Sequence, residues 1–174
     1  MTRPSEHISL SKTALMVIDV QMAFVHRDEA GVPRTTPMAE NNIGRLLDWF
    51  RSSGGKTIHI HHHSHQKDSP FTAGLPGAVV QPFAEPSPGE AVYVKYVNSS
   101  FIGTGLEDDL RRDGIEHLIL CGTTANQCVE TTGPDGRKPR LQHAVCRRWR
   151  MGLWLRWTGR PRAQRRGNFI IYNQ

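Results

Sequence analysis

The amino-acid sequence predicts a three-layer α/β fold, in which a parallel β-sheet carries helices on both faces. Short apolar runs alternate with helix-forming segments through residues 12–133, and this alternation favours right-handed crossovers between parallel strands. The chain has 174 residues, a length that suits one compact domain with one active site.

The first predicted strand is residues 14–20, a nearly continuous apolar run of the kind found in strands covered on both faces. Asp19 near its end is the only charged residue in the run. Apolar residues at helical spacing then predict a helix over 38–52, ended by two glycines. Residues 56–63 form the second predicted strand.

The remainder of the predicted domain continues the same alternation. A stretch rich in proline, glycine and serine predicts a surface loop that borders a pocket. The predicted segments are this loop over 66–90, a strand over 91–95, a helix over 105–112, a strand over 117–121 and a polar turn over 122–126. A further helix is predicted to open near Cys128.

Three reactive side chains fall at the carboxyl ends of these strands. Asp19 is near the end of the first strand, Lys95 ends the third and Cys128 follows the fourth. Carboxyl ends of parallel strands meet at one edge, where ligands bind in such sheets. A thiol near a cation and a helix N-terminus is expected to have a lowered pKa, and Asp19 can carry its proton to a leaving group. Each residue alone also suits a plain structural role, but the combination indicates a nucleophile.

The sequence around these residues consists of three blocks: ALMVIDVQMAF around Asp19, VYVKYVNSSFIGTGLEDDL around Lys95 and HLILCGTTANQCVETT around Cys128. In this order and spacing they resemble the signature blocks of isochorismatase-like cysteine hydrolases. The resemblance covers about residues 12–133. It implies a Rossmann-like fold and a catalytic triad of Asp19, Lys95 and Cys128.

The same resemblance implies further parts of the site. A non-proline cis peptide is expected between Thr123 and Thr124, in a turn that points the backbone N–H groups of Thr124 and Cys128 at a substrate oxyanion. Four other residues are predicted to line the pocket: Phe24, His61, His63 and Asn126.

The activity expected from the resemblance is hydrolysis of a small amide, imide or carbamoyl compound through an acyl-enzyme on Cys128. One alternative is a vinyl-ether hydrolase of isochorismatase type, although such enzymes typically lack the cysteine. Another is an inactive remnant or binding protein that keeps the pocket. The expected partner is a small-molecule substrate, with no cofactor, and members of the family are often homo-oligomers.

Five histidines between residues 59 and 65 suggest a metal site as a competing interpretation. Strand alternation places His59, His61 and His63 on one face, together with His65 if the strand extends that far, and His62 on the other. The segment lacks the Asp-x-His pair that nicotinamidases of this superfamily use, and no carboxylate accompanies the histidines in a ligand pattern. We therefore predict no metal, with His61 or His63 beside the pocket and the others solvated.

The net charge of +6 is unevenly distributed along the chain. Residues 1–133 carry 11 basic and 15 acidic side chains, whereas residues 134–174 carry 11 basic side chains and Asp135 alone. A basic tail without a recognisable aromatic platform argues against nucleic-acid binding.

No apolar run reaches the ~20 residues of a membrane span, and the polar start does not predict a signal peptide. The sequence therefore predicts a cytoplasmic protein that binds neither membrane nor nucleic acid.

This shift in charge predicts a domain over 1–133 and a separate, disordered tail over 134–174. The sequence 133–136, Gly-Pro-Asp-Gly, breaks the helix of Cys128 where the family would continue it. No strand pattern follows until Asn168. One inserted base near Gly133 explains the change, because residues 134–142 read in the shifted frame can encode Arg-Met-Ala-Gly-Asn-Leu-Gly-Tyr-Asn, which matches the expected family helix.

Sequencing of the coding DNA across codons 128–140 tests this frameshift. We expect one extra base, whose removal opens a longer frame that encodes another strand ending in aspartate. Early stop codons in the restored frame would contradict the hypothesis and leave the tail as genuine protein sequence.

Overall fold

The computed structural model describes residues 9–32, 37–123 and Cys128, and beyond these the backbone of five short strands. The helices are α1 (Met22–Glu29), α2 (Ala39–Ser52) and α3 (Leu106–Arg112). The strands are β1 (Thr13–Ile18), β2 (Lys56–His62), β3 (Ala91–Lys95), β4 (His117–Gly122), β5 (Gln142–Val145), β6 (Leu153–Trp154), β7 (Arg156–Trp157), β8 (Gln164–Arg166) and β9 (Phe169–Asn173).

The first five strands form a parallel sheet in the order β3-β2-β1-β4-β5. β1 lies at its centre and pairs with β2 on one side and β4 on the other. β6 adds to β4 in the antiparallel sense, and β7, β9 and β8 pair separately. The predicted parallel α/β fold is confirmed.

The two faces of β1 explain the three layers. All six residues of β1 are buried, and they alternate between two apolar clusters. Leu15 and Val17 pack with Leu47 and Phe50 of α2, whereas Met16 and Ile18 pack on the opposite face with α3. Each fully buried side chain of this kind contributes roughly 1.5–3 kcal/mol, so the central strand is held from both sides.

The element boundaries follow the sequence closely, with two differences. β3 covers residues 91–95 as predicted, but β1 ends at Ile18 because Asp19 leaves the extended conformation with φ of 54°. Helix α1 has only Ala23 buried, so it lacks the apolar periodicity by which the sequence analysis recognised α2.

The tail contains strands where the sequence analysis expected none. β5 begins at Gln142, well before the apolar segment near Asn168, and pairs in parallel with β4. The expectation that no strand forms before Asn168 is therefore wrong. A strand edge carries unpaired N–H and C=O groups, and backbone pairing at β4 does not require an apolar pattern. The domain boundary after Gly133 and the frameshift stay predictions.

Gly122 brings the end of β4 against the end of β1. It has φ of 146°, and a Cβ atom at this position would lie 1.9 Å from the Ile18 carbonyl oxygen. The next residue, Thr123, donates its backbone N–H to that same oxygen over 2.9 Å. Only glycine allows this approach without a shift of backbone.

Gly122→Ala is expected to lower the free energy of unfolding by about 3 kcal/mol or more, through overpacking and backbone strain. Gly44→Ala is the matched control, because a Cβ there meets only Phe83 at 3.5 Å and alanine favours the helix by up to about 1 kcal/mol. Urea denaturation followed by circular dichroism measures both. Equal stability of the two variants would show that the contact with Ile18 is not a constraint.

Candidate active site

Asp19 occupies the first position beyond β1 in a left-handed conformation, which aspartate tolerates better than most residues. Its backbone N–H donates to the Ile60 carbonyl over 2.8 Å, and its carbonyl accepts the Gln21 N–H over 2.9 Å. The residue is 1% exposed. The left-handed turn at the end of β1 thus places the Asp19 carboxylate in a buried position above the sheet edge.

Lys95 reaches this carboxylate from the far side of β2. Its Nζ lies 3.0 Å from Asp19 Oδ2 and donates to the Asn98 carbonyl over 2.7 Å. Since neighbouring strands lie about 4.8 Å apart, β1 and β3 are separated by roughly 10 Å. A lysine spans that gap because its ammonium is carried on a long flexible stem. Asp19 and Lys95 are therefore brought together as predicted, in a buried ion pair.

Cys128 is half-buried and packs against the apolar cluster on the α3 side of the sheet. Its thiol is near enough to Asp19 and Lys95 for both charged groups to affect its pKa. Burial, together with the negative charge of Asp19, raises the pKa of the Cys128 thiol to about 11, against the lowering effect of Lys95. The expectation of a lowered pKa is wrong, because the sequence shows the cation but not the depth of the thiol or its distance from the carboxylate.

Burial also raises the pKa of the Asp19 carboxyl, and the Lys95 ammonium and the Cys128 thiol act in the opposite direction. Asp19 and Cys128 form a coupled pair, because two adjacent buried anions repel each other. The arrangement with thiol, carboxylate and ammonium has no net charge, and neither has the one with thiolate, carboxylic acid and ammonium. A proton can therefore pass from Cys128 to Asp19 without changing the charge of the site.

Gln21 is a residue of this edge that the sequence analysis missed. Its side chain accepts the His62 backbone N–H over 2.8 Å and donates to the carbonyls of His62 and Ala78 over 3.0 and 2.8 Å. It is fully buried. Gln21 thus joins the end of β2 and the following loop to the chain just after Asp19. A polar residue directly after a buried apolar strand is the signal that indicates such a role.

An open cleft with a volume of about 460 Å³ lies beside the ion pair. Its lining residues come from the end of β2, the following loop and the segment after β3: His62, Ser64, His65, Gln66, Ser69, Tyr96, Val97 and Asn98. Asp19, Lys95 and Cys128 are not among these lining residues, and the link to the ion pair is Asn98, whose carbonyl accepts a hydrogen bond from Lys95.

The predicted pocket residues differ in their positions relative to this cleft. His61 and His63 do not line this cleft, whereas His62 does. Phe24 contacts Phe71 with ring centroids 5.4 Å apart, and Phe71 in turn contacts His62. Thr123 follows β4 as described above, while Thr124 and Asn126 lie outside the described residues. The predicted cis peptide and oxyanion donors therefore stay predictions.

His59 corrects the expectation that the remaining histidines are solvated. It is 1% exposed, and its Nε2 lies 2.8 Å from Glu90 Oε2. Arg51 of α2 binds both oxygens of Glu90. Although burial opposes the shift, these bonds and the Ser87 N–H lower the pKa of Glu90 to about 2. Burial lowers the pKa of His61 to about 4, so these histidines belong to the packed face of β2.

Within residues 9–32, 37–123 and 128, no three side chains of histidine, cysteine, aspartate or glutamate gather as a metal-ligand set. In the same part of the chain, no helix has the length and apolar character needed to cross a membrane.

The profile of the isochorismatase domain covers residues 13–138. YrdC of Bacillus subtilis, an uncharacterized isochorismatase family protein, is 37% identical over 121 residues, which cover 70% of this chain and 64% of YrdC. Streptothricin hydrolase of Streptomyces noursei is 35% identical over 128 residues, or 68% of this chain and 42% of that protein. The matched region is less than two thirds of either relative.

Solved structures of similar fold include a protein of the isochorismatase family from Chromobacterium violaceum, with a TM-score of 0.70 and 39% identity over 78% of this chain and 69% of that chain. The cysteine hydrolase of Pseudomonas syringae gives a TM-score of 0.67 and 25% identity, covering 79% and 72% of the two chains. N-carbamoylsarcosine amidase of Thermoplasma acidophilum gives a TM-score of 0.64 and 26% identity, covering 75% of this chain and 79% of that chain.

The charges around Cys128 predict opposite effects of two substitutions on its thiol pKa. Asp19→Asn removes the negative charge that opposes the thiolate and should lower this pKa. Lys95→Met removes the favourable cation and should raise it. Labelling by iodoacetamide across a pH series, resolved for each cysteine by peptide mass spectrometry, measures the shifts. In the unsubstituted protein the rate at Cys128 should still rise beyond about pH 9, above the ordinary thiol pKa. A shift to higher pH in Asp19→Asn would contradict the geometry.

Proposed function

Because the chain belongs to the isochorismatase family of hydrolases, we propose that it cleaves a carbon–nitrogen bond of a small amide, imide or carbamoyl compound through a covalent acyl-enzyme on Cys128. The observation that carries the proposal is the buried ion pair of Asp19 and Lys95 at the carboxyl edge of the sheet, with the half-buried Cys128 thiol under the influence of both charges. The names of two similar proteins, streptothricin hydrolase and N-carbamoylsarcosine amidase, support the choice of substrate class.

The first half of the proposed reaction forms the acyl-enzyme. Cys128 sulfur attacks the substrate carbonyl carbon while its proton passes to the Asp19 carboxylate. The carbon–nitrogen bond then breaks as Asp19 donates this proton to the departing nitrogen, which leaves as an amine or ammonia. A raised Asp19 pKa suits both steps, since an acid–base catalyst works best when its pKa lies near the working pH.

The second half releases the acid. Water attacks the thioester carbonyl while Asp19 accepts one of its protons, and the carbon–sulfur bond breaks as that proton returns to Cys128. Lys95 keeps its charge throughout and holds the Asp19 carboxylate in position at 3.0 Å. The backbone N–H groups of Thr124 and Cys128, predicted from the family resemblance, would stabilise the oxyanion in both halves, a contribution of about 3–4 kcal/mol for a single donor in other enzymes.

Two other functions remain to be separated by experiment. A vinyl-ether hydrolase on the same fold would not need a thiol, so the position of Cys128 within range of Asp19 and Lys95 favours the acyl-enzyme. An inactive remnant would keep the site without turnover. The departure of the sequence from the family after residue 138 is the observation in its favour.

Cys128→Ala is expected to reduce turnover roughly a thousand-fold or more, because removal of a nucleophile disables the whole catalytic unit. The assay measures ammonia or amine release from a panel of primary amides, cyclic imides and N-carbamoyl amino acids. Cys121→Ala is the matched control, because Cys121 packs in the apolar cluster with α2 and should be dispensable for chemistry.

Three results separate the functions. An acyl adduct on the Cys128 peptide, trapped by acid quench, supports the proposal. Cleavage of a vinyl ether that survives in Cys128→Ala supports the alternative hydrolase. Absence of turnover across the panel, in a folded protein whose Cys128 can still be alkylated, supports the inactive remnant.

A further inference from the structure

His62 is fixed at the edge of the candidate active site by its backbone. It ends β2 and pairs in register with Lys95. The Gln21 side chain accepts its N–H over 2.8 Å and donates to its carbonyl over 3.0 Å. The backbone of His62 is therefore tied on one side to the strand of Lys95 and on the other to the segment that carries Asp19.

The His62 side chain faces the cleft on the side of the ion pair. Its ring meets Phe71 edge to face, with centroids 5.4 Å apart, and its charge state is influenced by both Asp19 and Lys95. The Nδ1 atom is buried and has no hydrogen-bond partner within the part of the chain that the structure describes. Buried ring nitrogens are usually paired, and His59 Nδ1 and His61 Nε2 on the packed face are unpaired as well. Of these three histidines only His62 lines the cleft, so its Nδ1 atom is the one beside which a ligand group would be held.

We propose that His62 is a substrate-positioning residue, whose Nδ1 atom hydrogen-bonds an uncharged amide or ureide group while the scissile carbonyl faces Cys128. This inference rests on the proposed function and narrows its substrate class to compounds that present an uncharged, planar polar group to the cleft.

The surroundings of His62 explain why the recognised group is uncharged. Burial lowers the pKa of His62, and although Asp19 opposes this, Lys95 and His63 add to it. The imidazole is therefore neutral near pH 7 and offers a hydrogen bond without a positive charge. Lys95 cannot supply that charge, because its ammonium already binds Asp19 and the Asn98 carbonyl. A substrate carboxylate at this position would lose its hydration without gaining a counter-ion.

Substitution of His62 by asparagine or by glutamine distinguishes the contributions of its two ring nitrogens. His62→Asn places an amide atom where Nδ1 lies, whereas His62→Gln places one near the position of Nε2. The first should keep the proposed hydrogen bond and the second should lose it. His26→Gln, at an exposed histidine of α1, is the matched control. Circular dichroism melts establish that each variant is folded.

The first measurement does not depend on turnover. Cys128 is alkylated by iodoacetamide, which carries an uncharged amide, and by iodoacetate, which carries a carboxylate, and the ratio of the two rates is compared with that of free cysteine. We expect the protein to favour iodoacetamide more than free cysteine does. In His62→Asn and His26→Gln the ratio of the two rates should stay within about twofold of that of the unsubstituted protein. In His62→Gln the ratio should fall about five- to tenfold, the effect expected from the loss of one hydrogen bond.

The second measurement uses the best amide from the turnover panel. His62→Gln should raise KM about tenfold with kcat nearly unchanged, because positioning weakens and the reacting groups remain. An alkylation ratio that is the same in all variants overturns the role of His62, even if amides are hydrolysed. A ratio that changes as expected, in a protein that hydrolyses no amide, supports the role of His62 in binding and overturns the proposed function instead.

Discussion

The buried ion pair between Asp19 and Lys95 is the constraint on which the rest of this edge depends. Two charges removed from water are tolerated only when they meet with good geometry, and loss of one partner costs roughly 3–5 kcal/mol. The pair crosses above β2, so it forms only when β1, β2 and β3 end at matching heights. The register that places Ile18 beside Ile60 and His62 beside Lys95 satisfies that requirement. Gln21 reinforces it by joining the ends of β1 and β2 through its side chain.

The side chains of β2 alternate between the two faces of the sheet, and the histidines on each face have a different role. His59 and His61 are in ring contact on one face, with centroids 6.5 Å apart, and His59 joins Glu90 and Arg51 in a network that links β2 to α2. His62 points to the other side, toward Phe71 and the cleft. A run of histidines that suggests a single metal site in the sequence is thus divided by the pleat into a structural part and a part beside the reactive groups.

The sequence was informative where a single residue conflicts with its apolar surroundings. Asp19 in an apolar run and Lys95 at the end of another predicted that these side chains meet at one edge of the sheet, because parallel strands bring their carboxyl ends together. The role of Gln21 was missed because a glutamine's partners are distant in sequence. The thiol pKa of Cys128 was given the wrong direction, since burial outweighs the nearby cation and sequence patterns do not show burial depth. β5 was missed because its pairing with β4 uses backbone groups that every residue carries.

The exchange of one proton between Cys128 and Asp19 keeps the site electrically neutral in the resting state and, under the proposed mechanism, after acylation. A uniform electrostatic potential imposed by distant charges therefore favours neither arrangement, and only a potential difference between the two groups acts on the proton transfer. The chemical step is therefore expected to depend less on ionic strength and on distant surface charge than a step that changes the net charge of the site. Such a centre can keep its chemistry while the outside of the protein changes its charge freely in evolution.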